Sequence, residues 1–319
     1  MFRPENSDEH SFLAFSLSPR FLQTSAVAGW FGTARLGHAA KAGKGDMLRF
    51  GVIAEQANEP DRMLRVYADL LAELRTRLAK DGIDVAPLVI AKDLRELSRL
   101  LDQGRVDMVA ETVFVTLDLQ HESPQSLVPR LAIVKRDQRE YHSVFFSDKS
   151  GAVKKLADLR GRTLVLQAER STSAFAVPRA ELARQGIKTA PLGQRGASPS
   201  SCFYVLAGAE LNQAVWVLRG KGDAGAFNEG DWARLPQKMR DGLRIFHETR
   251  PLLRGVVSFR PGFPLAARKA CETALVALHG DSAGRAALAK ADGITRLETL
   301  TPTDHAGLNE WRRALRGAS

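Results

Sequence analysis

Apolar and polar residues alternate along the chain in blocks that predict strands and helices in turn. Residues 48–54 form a short apolar run typical of a buried strand, and residues 61–78 place their apolar side chains on one helical face. The same patterns predict further strands at residues 84–91, 106–110, 127–134, 141–146, 163–166, 203–207, 223–227, 243–246 and 255–259. They predict further helices at residues 93–101, 156–161, 211–218, 266–278, 283–290 and 305–315. This alternation favours an α/β fold with a largely parallel sheet.

Two features divide the chain into halves. A charged stretch at residues 135–140 interrupts the apolar pattern, and residues 97–111 resemble residues 214–228. Each of those two segments has a helix, a glycine stop, an aspartate three residues later, and a short strand that ends in a polar residue. We therefore predict one lobe from residues 47–136 plus 247–319 and a second from residues 137–246. Residues 1–46 are interpreted as a leader or disordered extension, with a degenerate export signal in it.

Composition limits the classes of function. The chain has 319 residues, 44% hydrophobic and 26% charged, which suits a two-lobed globular protein. The net charge of +10 is spread along the chain, which favours an anionic ligand. Only 7% of residues are aromatic, so the composition does not indicate a nucleic-acid-binding protein. Seven histidines lack metal-ligand spacing, and no cofactor motif is convincing. The G-x-G-x-x-G match at residues 220–225 closes a helix, whereas a dinucleotide loop opens one. The two cysteines, Cys202 and Cys271, either pair or remain separate thiols.

The strongest local signal is Ser171-Thr172-Ser173, which follows the predicted strand at 163–166 and opens a helix. A helix start carries unpaired N–H groups and a partial positive charge, and hydroxyl groups there can donate to the same anion. The alternative is an ordinary helix cap with spare serines. Pro178 is predicted to kink this helix, because proline cannot donate to the Ala174 carbonyl.

Polar residues also follow two other predicted strands. Glu111 and Thr112 end the strand in the first half, and Asn228 and Glu229 end its counterpart in the second. Ligands of open α/β sheets bind beyond the carboxyl ends of strands, so these are binding-type positions. No local pair of nucleophile and base accompanies them, so the sequence predicts binding with no catalytic residues and no metal ligands.

Several segments resemble the phosphate/phosphite/phosphonate substrate-binding proteins of ABC transporters. They are residues 50–52, 141–143, 156–163, 171–178, 210–212 and 216–226, and the Ser-Thr-Ser-x-x-x-x-Pro element is the most specific. The resemblance implies a two-lobed periplasmic binding protein with the ligand between the lobes. It further implies an exported, monomeric protein whose partners are a small anionic ligand and a membrane permease. The predicted ligand-binding residues are Ser171, Thr172, Ser173, Ala174, Glu111, Thr112, Tyr141, Glu210, Asn212 and Asn228.

The alternatives left open are a sensor domain and, with less support, an enzyme on the same scaffold. Tyr141 is equally compatible with packing at the hinge, and Asn212 with helix capping. Glu111 could share a proton with phosphate, face away in a salt bridge, or pair with the amine of a zwitterion. Our hypothesis from the sequence is the last of these, so that an aminoalkylphosphonate binds better than phosphate.

Overall fold

The computed structural model describes residues 45–54, 59–123 and 127–316. Its β-strands are β1 Asp46–Leu48, β2 Phe50–Ile53, β3 Ile83–Val85, β4 Val89–Ala91, β5 Met108–Glu111, β6 Val128–Lys135, β7 Glu140–Tyr141, β8 Ser143–Asp148, β9 Thr163–Leu166, β10 Thr189–Pro191, β11 Cys202–Leu206, β12 Ala224–Asn228, β13 Leu243–Glu248, β14 Leu252–Leu253, β15 Val256–Phe259 and β16 Ile294–Thr299. Its α-helices are α1 Glu59–Leu78, α2 Leu94–Asp102, α3 Val113–Glu122, α4 Val177–Arg184, α5 Glu210–Leu218, α6 Glu229–Arg234, α7 Gln237–Gly242, α8 Leu265–Ala277, α9 Ser282–Lys290 and α10 Pro302–Arg316.

Two six-stranded sheets form the two lobes. The first has the order β16-β6-β15-β5-β2-β4 and the second the order β10-β11-β9-β12-β8-β13. The predicted α/β fold with two lobes is therefore confirmed. The strand directions are mixed: β10, β11, β9 and β12 run parallel, but β16, β6, β15 and β5 pair antiparallel. The expectation of a largely parallel sheet is thus wrong for the first lobe, because β15, β6 and the unpredicted β16 enter it in alternating directions.

Each sheet carries its own core. In the first lobe, Phe50 and Met108 are buried with Leu74 of α1 and Cys271 of α8. In the second lobe, the strands β8, β9, β11 and β12 bury their apolar side chains with those of α4. Cys202 belongs to this second core, so the two cysteines are separate buried thiols and form no disulfide. Burying this apolar surface is the main stabilising contribution to each lobe.

The chain crosses between the sheets twice, and the two crossings pair with each other. Strand β7 in the first crossing and β14 in the second form a two-stranded antiparallel ribbon, in which Tyr141 lies opposite Leu252. Arg139, next to this ribbon, donates two hydrogen bonds of 2.9 and 2.7 Å to the carboxylate of Asp304, in the first turn of α10. It donates a third to Glu298, at 2.7 Å. These contacts fix the first crossing to the C-terminal helix.

The sheets support lobe boundaries near residues 136 and 246, which remain a prediction. All strands from β8 to β13 belong to the second sheet, although β13 continues to Glu248. The expectations for a leader or export signal in residues 1–46 fall almost entirely outside the described residues. No helix in the described part of the chain has the length and apolar character needed to cross a membrane.

Several elements were not predicted, and four of them have a physical reason. Helix α3 has apolar residues on most sides and β-branched residues among them, since several of its faces are buried, so a helical period is hard to see. Helices α6 and α7 are short, with six residues each. Strand β16 alternates buried and partly exposed positions only weakly, because its outer edge is the edge of the sheet.

The repeated segments of the two halves have equivalent structures. Asp107, which follows a helix in the first half, accepts hydrogen bonds from the backbone N–H of Arg49 and from the Arg260 guanidinium. Asp223 in the second half accepts one from the backbone N–H of Thr163. Each aspartate therefore satisfies the backbone at the start of the neighbouring parallel strand. This support aligns the carboxyl ends of those strands, where Glu111 and Asn228 lie.

Candidate functional site

The Ser-Thr-Ser segment forms a capped turn ahead of α4. Ser171 is the N-cap residue, and its hydroxyl oxygen accepts a 3.1 Å hydrogen bond from the Ala174 N–H. The turn Thr172–Ala176 is π-helical, and α4 begins after it at Val177. Pro178 therefore lies in the first turn of α4 and does not kink a helix interior.

Because Pro178 has no backbone N–H, two neighbouring residues donate hydrogen bonds to the Ala174 and Ser173 carbonyl groups instead. The backbone N–H of Gln167 donates to the Ala174 carbonyl at 3.0 Å, and the Ser143 hydroxyl donates to the Ser173 carbonyl at 2.7 Å. Because buried carbonyl groups need partners, these contacts stabilise the wider turn. Ser143 belongs to β8, directly after the first crossing, so the turn is held to the hinge of the protein.

The turn presents donors that have no internal use. The Ser171 hydroxyl occupies the Ala174 N–H, and the first N–H groups of any helical turn lack acceptors within the turn. Thr172 and Ser173 are only 6% and 8% exposed. The Thr172 hydroxyl lies beside the Tyr141 phenol, but within the described part of the chain it makes no hydrogen bond of good geometry. Burying a hydroxyl that is bonded so poorly is unfavourable, so this position marks the turn as a candidate binding site.

Tyr141 lies beside these hydroxyls. Burial raises the pKa of the Tyr141 phenol to about 12, while the Arg254 guanidinium and the hydroxyls of Thr172 and Ser173 oppose the rise. The Arg254 guanidinium carbon lies 4.7 Å from the centroid of the Tyr141 ring, which is a cation–π contact. Tyr141 is thus a neutral residue at neutral pH that separates the turn from a basic side chain.

Arg254 also lines a cleft of about 240 Å³ at the carboxyl end of β5. The charged and polar lining residues are Tyr67, Glu111, Thr112, Lys135, Arg170, Arg254 and Asp292. Apart from Arg170, they come from the first lobe or from the second crossing. Arg170 directly precedes Ser171, and Arg254 contacts Tyr141, so the cleft and the Ser-Thr-Ser turn adjoin each other. Ser171, Thr172 and Ser173 are not among the described lining residues of this cleft.

Glu111 is half-buried at the end of β5, on the cleft wall. Its desolvation raises the pKa of its carboxyl group to about 7, against the lowering effects of Lys135, the Thr112 N–H and Arg170. A group with this pKa carries a proton for about half the time at neutral pH. Thr112, the next residue, caps α3 by accepting a hydrogen bond from the Val115 N–H at 3.4 Å.

The remaining predicted residues form a separate group beyond the carboxyl ends of β11 and β12 in the second sheet. Asn228 caps α6, since its side-chain oxygen accepts a 3.0 Å hydrogen bond from the Asp231 N–H. Asn212 donates to the Ala207 carbonyl at 2.9 Å. Glu210 lies close enough to Asp231 to contribute to the raised pKa of that carboxyl, for which burial is the main cause. These contacts are structural, and roles of Glu210, Asn212 and Asn228 in ligand binding remain predictions.

Sequence reasoning missed the basic residues of the site. Arg170 could have been found, because a cation directly before an anion-binding turn is a recognisable combination. Lys135 was noted only as the start of a charged interruption, although it directly follows a predicted strand and ends the observed β6. No local signal marks Arg254 or Asp292, which reach the cleft only through the pairing of distant segments.

Comparison with known proteins gives the family. A model described as "ABC transporter, phosphonate, periplasmic substrate-binding protein" matches residues 50–305. XAC2383 from Xanthomonas citri is similar in two solved structures, at 29% identity bound to chloride ion and 28% bound to ATP. Both cover 85% of this chain and 97% of that chain, with a TM-score of 0.73.

PhnD1 from Prochlorococcus marinus, in complex with methylphosphonate, shares the fold at 16% identity with a TM-score of 0.54, over 85% of this chain and 99% of its own. No curated protein matches this chain. The family match covers most of the chain, and the two-sheet architecture agrees with it. The chain therefore belongs to the periplasmic substrate-binding proteins of phosphonate ABC transporters.

Proposed function

We propose that this protein captures a small phosphorus oxyanion, of phosphonate, phosphite or phosphate type, in the cleft between its lobes and delivers it to a membrane permease. In this proposal the protein is exported, acts as a monomer, and binds neither nucleic acid nor a cofactor. The carrying observation is the buried Thr172 hydroxyl, which makes no hydrogen bond of good geometry to a described residue and lies at the start of a helical turn, where N–H groups lack acceptors within the turn. An oxyanion would satisfy all of these donors together.

The charges around the turn support an anion of this kind. Arg170 directly precedes the Ser-Thr-Ser turn, Arg254 contacts the Tyr141 ring, and both line the cleft. Glu111, whose pKa is about 7, can be protonated and donate a hydrogen bond to the same ligand. A phosphorus oxyanion suits this environment, because its pKa values allow it to share a proton with a carboxylate.

The same charges count against the aminoalkylphosphonate hypothesis. Glu111 faces the cleft, as that hypothesis requires, but Lys135 and Arg170 lie close enough to lower its pKa. A ligand ammonium group at Glu111 would therefore meet protein cations as well as a carboxylate. We accordingly propose that an anionic ligand binds better than a zwitterion, and competition between 2-aminoethylphosphonate and phosphate tests this order.

A second candidate ligand is a nucleotide. Its supporting observation is the similarity to XAC2383, a protein solved with chloride ion and with ATP, both of which are negatively charged. A sensor and a transport protein need the same cleft, so ligand sensing stays the alternative role for either ligand. If ATP bound this protein more tightly than every small oxyanion tested, a nucleotide would replace a phosphorus oxyanion as the proposed ligand.

The experiment is a thermal-shift screen with phosphate, phosphite, sulfate, methylphosphonate, 2-aminoethylphosphonate and ATP, followed by calorimetry. Ser171→Ala, Thr172→Ala and Ser173→Ala are compared with Ser198→Ala, which removes an exposed hydroxyl far from the turn in sequence. We expect the first three variants to weaken binding about tenfold or more, and the control to bind as the parent does. Unchanged affinity in all three variants would refute the Ser-Thr-Ser turn as the oxyanion site.

A further inference from the structure

The first-lobe wall of the cleft carries more charged groups than a single oxyanion at the Ser-Thr-Ser turn needs. They are Lys135, Glu111 and Asp292, which surround one part of the lining. We propose that Lys135, together with Glu111, forms a second anionic subsite, so that the preferred ligand carries a second acidic group. This inference rests on the proposed function, because it places the first acidic group at the Ser-Thr-Ser turn.

The backbone fixes Lys135 at the cleft. Lys135 ends β6 and lies opposite Ile294 of β16. Arg136 and Asp137 follow it with left-handed φ values of 50° and 62°, and the Arg136 N–H donates to the Gly293 carbonyl at 3.1 Å. Non-glycine residues adopt this conformation only when the surrounding structure holds them there. The strained turn therefore keeps Lys135 on the wall and prevents the chain from continuing the strand.

Asp292 holds the Lys135 side chain without using all of its donors. The Lys135 ammonium contacts the Asp292 carboxylate at 2.5 Å. An ammonium group has three donors, so two remain for a ligand. The Asp292 side chain is 52% exposed, and water screens its pairing with Lys135. Asp292 itself has a φ of 59°, so it too lies in a turn fixed by its surroundings. Asp292 therefore positions the Lys135 ammonium, and that ammonium can also bind a second anion.

Glu111 can adapt to a second anion. The pKa of Glu111 is about 7, so an approaching anion has only to complete its protonation. The protonated carboxyl then donates to the ligand, as the Lys135 ammonium does. A ligand ammonium group would instead be repelled by Lys135, so this part of the cleft discriminates between an acidic and a basic substituent.

The apolar part of the cleft lining suits a short organic linker. The apolar lining residues are Val52, Ile53, Met63, Ala110, Ile133 and Ile294. A lining that combines apolar side chains with a few polar groups is typical of sites that orient a small ligand. The ligand class is therefore a phosphonate or phosphate with a second acidic group, either a carboxylate or another phosphoryl group, one or a few bonds away.

Calorimetry with three ligands tests the second subsite. Methylphosphonate has one acidic group, phosphonoacetate adds a carboxylate, and methylenediphosphonate adds a phosphoryl group. We expect at least one of the two diacids to bind the parent about tenfold more tightly than methylphosphonate, and the better diacid identifies the second group. Lys135→Gln is expected to abolish this preference, because the diacid loses more affinity than methylphosphonate. Lys149→Gln, which removes an exposed lysine of the second lobe, is the matched control and should keep the preference.

The outcomes separate this inference from the proposed function. If methylphosphonate binds but neither diacid is preferred, or if Lys135→Gln retains the preference, the second subsite is wrong and the proposed function stands. If none of the phosphorus ligands binds, both are wrong. Asp292→Asn provides an independent variant should Lys135→Gln not fold: releasing the Lys135 ammonium from its carboxylate partner is expected to increase the diacid preference, and an unchanged or smaller preference would overturn the inference.

Discussion

Replacing Thr172 with valine separates a binding role of its hydroxyl from a structural one. Valine has nearly the same shape as threonine, and the backbone carbonyl of Thr172 still accepts the hydrogen bond from Val177. The substitution removes only a buried hydroxyl, which lies beside the Tyr141 phenol but makes no hydrogen bond of good geometry to a described residue. In the protein without ligand, we therefore expect that hydroxyl to add desolvation cost and little stabilisation.

Thr172→Val should affect stability and ligand affinity in opposite directions. A buried polar group without a partner costs about 1–3 kcal/mol, so Thr172→Val should leave the free energy of unfolding unchanged or raise it by up to about 1 kcal/mol once hydration of the open cleft is allowed for. A hydrogen bond to a charged ligand contributes roughly 1.5–3 kcal/mol. The affinity for an oxyanion should therefore fall at least about tenfold.

Urea unfolding and calorimetry measure the two effects on the same samples. Thr116→Val is the matched control, because the Thr116 hydroxyl is also buried without a hydrogen bond of good geometry in the described residues, and Thr116 lies in α3, outside the Ser-Thr-Ser turn. It should resemble Thr172→Val in stability and the parent in affinity. The reasoning is refuted if Thr172→Val loses more than about 1 kcal/mol of stability and binds ligand normally, since the hydroxyl would then be structural.

Two further predictions concern charged groups. Because the folded protein raises the pKa of Glu111 to about 7, its contribution to stability is full below pH 4.5 and is lost as the pH rises through 7. The stability gained by Glu111→Gln over the parent should consequently grow from pH 5 to pH 8 in urea titrations, and a constant difference would contradict the shift. Arg139→Ala should cost about 2–3 kcal/mol at neutral pH, because it leaves the nearly buried Asp304 carboxylate without its cation, whereas the exposed Lys290→Ala should cost under about 0.5 kcal/mol. Arg139 holds the pKa of Asp304 down to about 2, so the stability lost in Arg139→Ala should shrink as the pH falls from 3.8 towards 2. If Arg139→Ala and Lys290→Ala lost the same stability at neutral pH, the role of Arg139 at the crossing would be contradicted.

The sequence alone determined the positions of most elements and the main ligand-binding candidate. Apolar periodicity reports whether successive side chains are buried, so the strands β9 and β12 and the helices α1 and α8 were predicted within a few residues. Helix-capping chemistry is also local, and Ser171 caps the turn that follows it as expected. The family resemblance, confirmed for residues 50–305, rests on the same local motifs.

Only the tertiary structure decided how these elements meet. Lys135 pairs with Asp292 across 157 positions, and Arg139 reaches Asp304 across 165, because strand order and the two crossings bring those segments together. The wide turn at Thr172 depends on Ser143, a residue of another strand that bonds the Ser173 carbonyl. Similarly, the raised pKa of Glu111 comes from burial that the assembled cleft creates. Periodicity carries no information about which distant strands pair, so the charges of the cleft became visible only in the folded chain.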